Sequence, residues 1–202
     1  MSSFGRGEPL DNWHEVHAAC RGLTHQCLFG LRAKQVTIST VGTSPDHIRQ
    51  LADEAPQINL AISLHGATQQ LREALMPATK RIPLVELEAA LDYHSKITGS
   101  GAMVEYLLID GVNDDAEAAA ALITFCFNRR RKSYVNLIPY NPTIAGVAFG
   151  YRTPSDDTIR DFHERLQSAG IKSHVRWSSV AGRDADGACG QLVLSASSRM
   201  ME

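Results

Sequence analysis

The stretch Ile58-Asn59-Leu60-Ala61-Ile62-Ser63-Leu64-His65-Gly66 decides how this chain is read. Its apolar run predicts a strand over 58–64 that ends on His65-Gly66. Working outward, Gln35-Val36-Thr37-Ile38-Ser39-Thr40 predicts a strand closing on polar residues and Gly42. Between the two, Ser44-Pro45-Asp46 starts a helix, with Pro45 suited to its first turn. Downstream, a short helix over 71–76 and a longer one over 84–98 lead to a third strand, 104–109. An alanine-rich helix over 116–128 precedes a fourth strand, 134–139. Ser155 then caps a helix to about residue 169, and 171–176 is a fifth strand.

Strands alternating with helices imply βαβ units and a mainly parallel sheet. The polar residues gather where strands end: Ser39-Thr40, Ser63 and His65, Asp110 and Asn113, then Asn141. In a β/α barrel these ends share one rim, where active sites sit. A doubly wound sheet would also place ligands there, so periodicity leaves both open.

Two further segments carry chemistry. Gly187-Ala188-Cys189-Gly190-Gln191-Leu192 sets a thiol among small residues in a polar loop. Free cysteines are by default buried and inert; an exposed loop argues for a nucleophile. At the other end, Gly5-Arg6-Gly7-Glu8-Pro9-Leu10 reads as a tight turn whose bare backbone can approach a ligand, with Glu8 able to accept from an amine. An ordinary glycine-proline turn is the simpler alternative. Asp11-Asn12 can cap the helix over 13–21 that follows, and Cys20 and Cys27 are expected to pack against it.

The 202 residues suggest one domain, and 44% hydrophobic content is enough for a real core. A net charge of −2 gives no basic surplus of the kind a stand-alone nucleic-acid binder shows. The four cysteines, Cys20, Cys27, Cys126 and Cys189, match no zinc or disulfide framework. No signal peptide and no run of about 20 apolar residues is present, so a soluble, reducing compartment is expected. Cys126, among apolar neighbours on its helix, is expected in the core. Asn128-Arg129-Arg130-Arg131-Lys132 closes a helix, where cations complement the dipole; phosphate contact is the alternative. His47, His94 and His174 show no metal spacing. Asp110, Asn113 and Asp114 are rim acids or turn formers.

Taken in order, six segments resemble the radical SAM methyl synthases, dual-specificity enzymes that methylate C2 of adenine in 23S ribosomal RNA and transfer RNA. They are Gly5–Leu10, Val36–Thr40, Ala61–His65, Glu105-Tyr106 with Val112-Asn113-Asp114, Asn136–Pro142 and Ala188–Leu192. The resemblance implies an α/β fold, a partial radical SAM barrel lacking its first strands, formed by a single truncated domain over 1–202 and matching the family over about 5–192. It implies that Gly7 and Glu8 contact the amino end of S-adenosylmethionine, and that Ser39, Ser63, Leu64, His65 and Asn141 line the rest of that site. It implies that Cys189 becomes S-methylated, that a 5′-deoxyadenosyl radical takes hydrogen from that methyl, and that the carbon adds to adenine C2. The implied partners are 23S rRNA, tRNA and an electron donor, without a membrane, in the cytoplasm or an organelle.

The family's Cys-x3-Cys-x2-Cys triplet, which ligates a 4Fe-4S cluster, is not in this sequence. No metal ligand is therefore assigned, and Cys20, Cys27 and Cys126 do not align with the triplet. The chain is expected to be the C-terminal portion of such an enzyme, a fragment inactive alone. A non-catalytic relative that binds S-adenosylmethionine or RNA is the alternative reading. A different barrel enzyme with Cys189 as an ordinary nucleophile is a third.

Overall fold

Five short strands lie side by side in chain order and all run parallel. They are β1 (Thr37–Thr40), β2 (Asn59–Ser63), β3 (Met103–Leu108), β4 (Tyr134–Pro139) and β5 (Ser173–Val175). A computed structural model describes residues 7–127, 133–143, 146 and 148–177. Around the sheet run α1 (Trp13–Thr24), α2 (Pro45–Glu54), α3 (Gln69–Leu75), α4 (Leu84–Thr98), α5 (Ala116–Phe127) and α6 (Asp156–Ser168). The α/β expectation is borne out. A doubly wound sheet reverses its strand order at a switch point; this one never does. Successive right-handed crossovers that always step the same way put the helices on one face, which is the winding of a barrel.

Burial follows from that winding. Ile38 on β1, Leu60 and Ile62 on β2, Val104, Tyr106 and Leu108 on β3, and Val135 and Leu137 on β4 are at most 2% exposed. Burying each such aliphatic side chain contributes about 1.5–3 kcal/mol, so this face supplies most of the core. The alternate residues behave differently: Ser39, Ser63, Asn136 and Ile138 are half-buried and His174 is exposed. The register lines up Ser63, Glu105, Asn136 and His174 across β2 to β5. A polar row therefore crosses the inner face, leading to the strand ends.

Three local expectations change. The first helix does not rely on Asn12, which makes no side-chain cap bond. A 3-10 turn, Pro9–Asn12, precedes it, and the Glu8 carboxylate caps that turn at Leu10 N–H, 3.1 Å. Cys27 does not pack: α1 ends at Thr24, and the turn that follows carries this thiol into solvent. The predicted 71–76 helix starts earlier, at Gln69, because Thr68 Oγ1 accepts from Leu71 N–H at 3.3 Å. Cys20 and Cys126 are buried, as expected.

Candidate functional site

Glu8 is the first anchor at the strand ends. Its carboxylate accepts from Val41 N–H at 2.8 Å and from the Thr40 hydroxyl, both where β1 finishes. With Leu10 N–H, three protein donors use most of a carboxylate's four acceptor positions. The segment before α1 is thereby tied to the sheet. Gly7 beside it holds φ +108°, with open space where a Cβ would be. Backbone there can meet a ligand closely.

The end of β2 is held by Arg72 from α3, a guanidinium only 1% exposed. It donates to the carbonyls of Leu64 at 3.0 Å, Ser63 at 3.3 Å and Val41. Burial draws its pKa down to about 10, with Glu8 opposing the shift. The loop packs tightly on α3: a Cβ on Gly66 would lie 2.6 Å from Arg72 N. Leu64 has no exposed surface, and its own N–H donates to Glu105 O at 3.0 Å. Its side chain belongs to the core.

His65 is the residue this arrangement displays. It is the non-glycine residue with positive φ, 55°, among those described. Asn113, with no exposed surface, imposes that shape. Its Nδ2 donates to His65 O at 2.8 Å and Leu107 O at 2.6 Å, while its Oδ1 accepts from Ile109 N–H at 2.7 Å. The His65 ring accepts from Leu107 N–H at Nδ1, 3.1 Å. An accepting Nδ1 carries no proton, so Nε2 does, leaving a neutral ring with one free donor. Burial lowers its pKa to about 4, and the Arg72 charge adds to the effect. Asn113 is thus a clamp, Asp114 caps Gly111 N–H at 3.0 Å, and Asp110 pairs with Arg152 at 3.2 Å.

Ser39 and Ser63 meet through Glu105, a site residue that the sequence reading misses. Its carboxylate, 5% exposed, lies 3.4 Å from the Ser39 hydroxyl and 3.5 Å from that of Ser63. A charged residue inside an apolar strand was the available signal. Arg72 offered none, sitting on a helix among polar neighbours. Asn141 follows β4, half-buried, with no hydrogen bond among the described residues. Cys189 lies outside the described residues, as does the 128–132 basic run. Glu8, Ser39, Ser63 and Leu64 are therefore linked through Val41, Arg72 and Glu105 at the strand ends, and His65, next in sequence, is held there by Leu107 and Asn113. A separate surface groove between α5 and α6, lined by Ala119, Ile123, Asp161 and Arg165 among others, contains none of them.

No group of three or more His, Cys, Asp or Glu able to hold a metal occurs among the described residues. Nor is any described helix long and apolar enough to cross a membrane.

No family model matches the chain. It is similar to a Lactococcus lactis protein named "Probable dual-specificity RNA methyltransferase RlmN", with 38% identity over 189 residues, 94% of this chain and 51% of that one. A Thermotoga maritima protein of the same name is 38% identical over 191 residues, 95% of this chain and 53% of its own. A Frankia casuarinae protein, also so named, is 44% identical over 94% of this chain and 44% of its own. The chain thus spans about half the length of the curated relatives it matches. Among solved structures, a radical SAM methyltransferase from Sphaerobacter thermophilus superposes with a TM-score of 0.85 at 37% identity, over 94% of this chain and 53% of that one. A domain of a pyruvate-formate lyase-activating enzyme from Bacteroides vulgatus, 16% identical, shares the fold alone, with a TM-score of 0.66 over 88% of this chain and 98% of that one.

Proposed function

We propose that this chain is part of a radical SAM RNA methyltransferase, and that the ends of β1 to β3 hold S-adenosylmethionine. One observation carries the reading: Glu8, Ser39, Ser63 and His65, drawn from three separate segments, are all fixed at the strand ends, Glu8 and the serines through Val41, Arg72 and Glu105, and His65 beside them through Leu107 and Asn113. The named relatives, 38–44% identical, and the superposed methyltransferase support it.

The residues fit that cofactor. A zwitterionic amino acid joined to a nucleoside needs both donors and acceptors. Acceptors come from Glu8 and the serines, and a donor from His65 Nε2. Gly7 leaves room for backbone contact, and the Asn141 side chain has no described partner to lose. When bound, S-adenosylmethionine supplies the one-carbon group. Cys189 is the proposed acceptor of that group, because a thiolate sulfur forms a carbon–sulfur bond readily and can later release the carbon. His65 stays neutral at physiological pH, so it orients a ligand by donating and adds no charge.

A 4Fe-4S cluster does not fit the described residues: Cys20 is buried in α1, Cys27 lies exposed just after it, Cys126 is buried in α5, and no metal-ligand set surrounds them among the described residues. The proposed substrate is adenine C2 in 23S rRNA, tRNA or both, and an electron donor is the proposed partner.

The test is the RNA of the source organism. Disrupting the gene should remove 2-methyladenosine from digested rRNA or tRNA, measured by mass spectrometry. The intact wild-type gene should restore it, and the same gene carrying Cys189→Ala should not. Unchanged 2-methyladenosine in the disrupted strain, or full restoration by Cys189→Ala, would contradict the reading.

A further inference from the structure

We propose that Glu105 is a positioning residue that fixes the Ser39 and Ser63 hydroxyls with their hydrogens turned into the sheet and their lone pairs turned toward the ligand. The inference rests on the functional reading above, since it concerns how that site presents itself to the cofactor.

Three observations carry it. Glu105 is 5% exposed, yet no lysine or arginine pairs with it among the described residues. A carboxyl group enclosed by the sheet needs hydrogen-bond donors, and the donors its side chain meets among the described residues are two serine hydroxyls. Second, its Oε2 is shared by two hydroxyls from different strands, Ser39 Oγ at 3.4 Å and Ser63 Oγ at 3.5 Å. Ser63 is its register partner on β2, whereas Ser39 lies a further strand away on β1. The carboxylate reaches it past Ala61, the small residue paired with Ser39. Third, a carboxylate can only accept, and a serine hydroxyl has one hydrogen to give. Both serines must donate to Glu105. What remains for a ligand is a pair of acceptors, which select hydroxyl or ammonium donors of the cofactor and reject bare acceptor groups.

Removing the shared acceptor at similar bulk breaks this logic. In Glu105→Leu neither serine has the Oε2 to donate to. Each hydroxyl then turns its hydrogen toward the ligand, setting donor against donor.

Calorimetric titration with S-adenosylhomocysteine, on the chain as given, separates the outcomes. Wild type should bind saturably, and Glu105→Leu should weaken binding about tenfold, the loss expected when one hydrogen bond is replaced by a facing pair of donors. The melting temperature should fall by no more than about 3 °C. In a Ser39→Ala, Ser63→Ala background, Glu105→Leu should change affinity by less than about twofold, because the groups it orients are gone. A role in folding alone predicts the reverse: a lower melting temperature with unchanged affinity. Equal affinity in wild type and Glu105→Leu overturns this inference and leaves the functional reading standing. A wild-type chain that does not bind at all overturns both.

Discussion

Among single residues, His65 and Asn113 belong together. A histidine at φ 55° sits in a region that costs a non-glycine residue roughly 1–2 kcal/mol, and Asn113 offsets that cost by holding the His65 carbonyl. Asn113→Ala leaves Ile109 N–H, His65 O and Leu107 O buried without this partner. We expect a loss of about 2–4 kcal/mol in urea unfolding. Asn113→Asp should cost at least as much, because a carboxylate would then face two carbonyls. His94 presents the opposite case: it is 2% exposed and both ring nitrogens lack a partner among the described residues. Replacing it by Leu removes two unsatisfied polar atoms and should raise stability at pH 7 by about 1 kcal/mol.

On the scale of elements, the β2–α3 connection is where the site is assembled. Gly66→Ala would drive a Cβ into the α3 backbone, 2.6 Å from Arg72 N, so either the helix or the loop must move. Arg72→Met removes the donor to three carbonyls that close β1 and β2, and should cost about 2–4 kcal/mol by denaturant titration. If stability is unchanged, Arg72 does not join the strand ends as described. These parts mark the limit of what could be read from the sequence. The strands were legible because short apolar runs ending in polar residues are a local signal, and the rim residues Ser39, Ser63 and His65 came with them. Arg72 and Asn113 were not legible as clamps, since their bonds span 31 residues to Val41 and 48 to His65. α1 starts at Trp13 as the sequence predicts, but its cap was not legible for the same reason: Glu8, pinned by Thr40 and Val41, caps the preceding turn, and Asn12 makes no side-chain cap bond. Cys27 differed because a helix end, unlike a helix face, is not set by apolar spacing.

For the molecule as a whole, strand order decides the architecture: a sheet that never reverses gathers its strand ends at one rim. Its acid response should be equally collective. Burial lowers both His65 and His94 from 6.5 to about 4. As pH falls below 6.5 the unfolded chain takes up these protons first. Stability is therefore full above pH 6.5 and is lost between 6.5 and 4, by on the order of 3 kcal/mol per histidine. His94→Leu should remove roughly half of that slope in urea titrations at stepped pH; an unchanged slope would show that His94 titrates as it does in the unfolded chain.

The central claim, that the ends of β1 to β3 are where S-adenosylmethionine sits, is tested most directly by NMR of the histidine rings and backbone amides during titration with S-adenosylhomocysteine. The account predicts saturable shifts of the His65 ring and of the Ser39, Ser63 and Leu64 amides, with the His94 ring still. Shifts confined to the α5–α6 groove, or none that saturate, would contradict it.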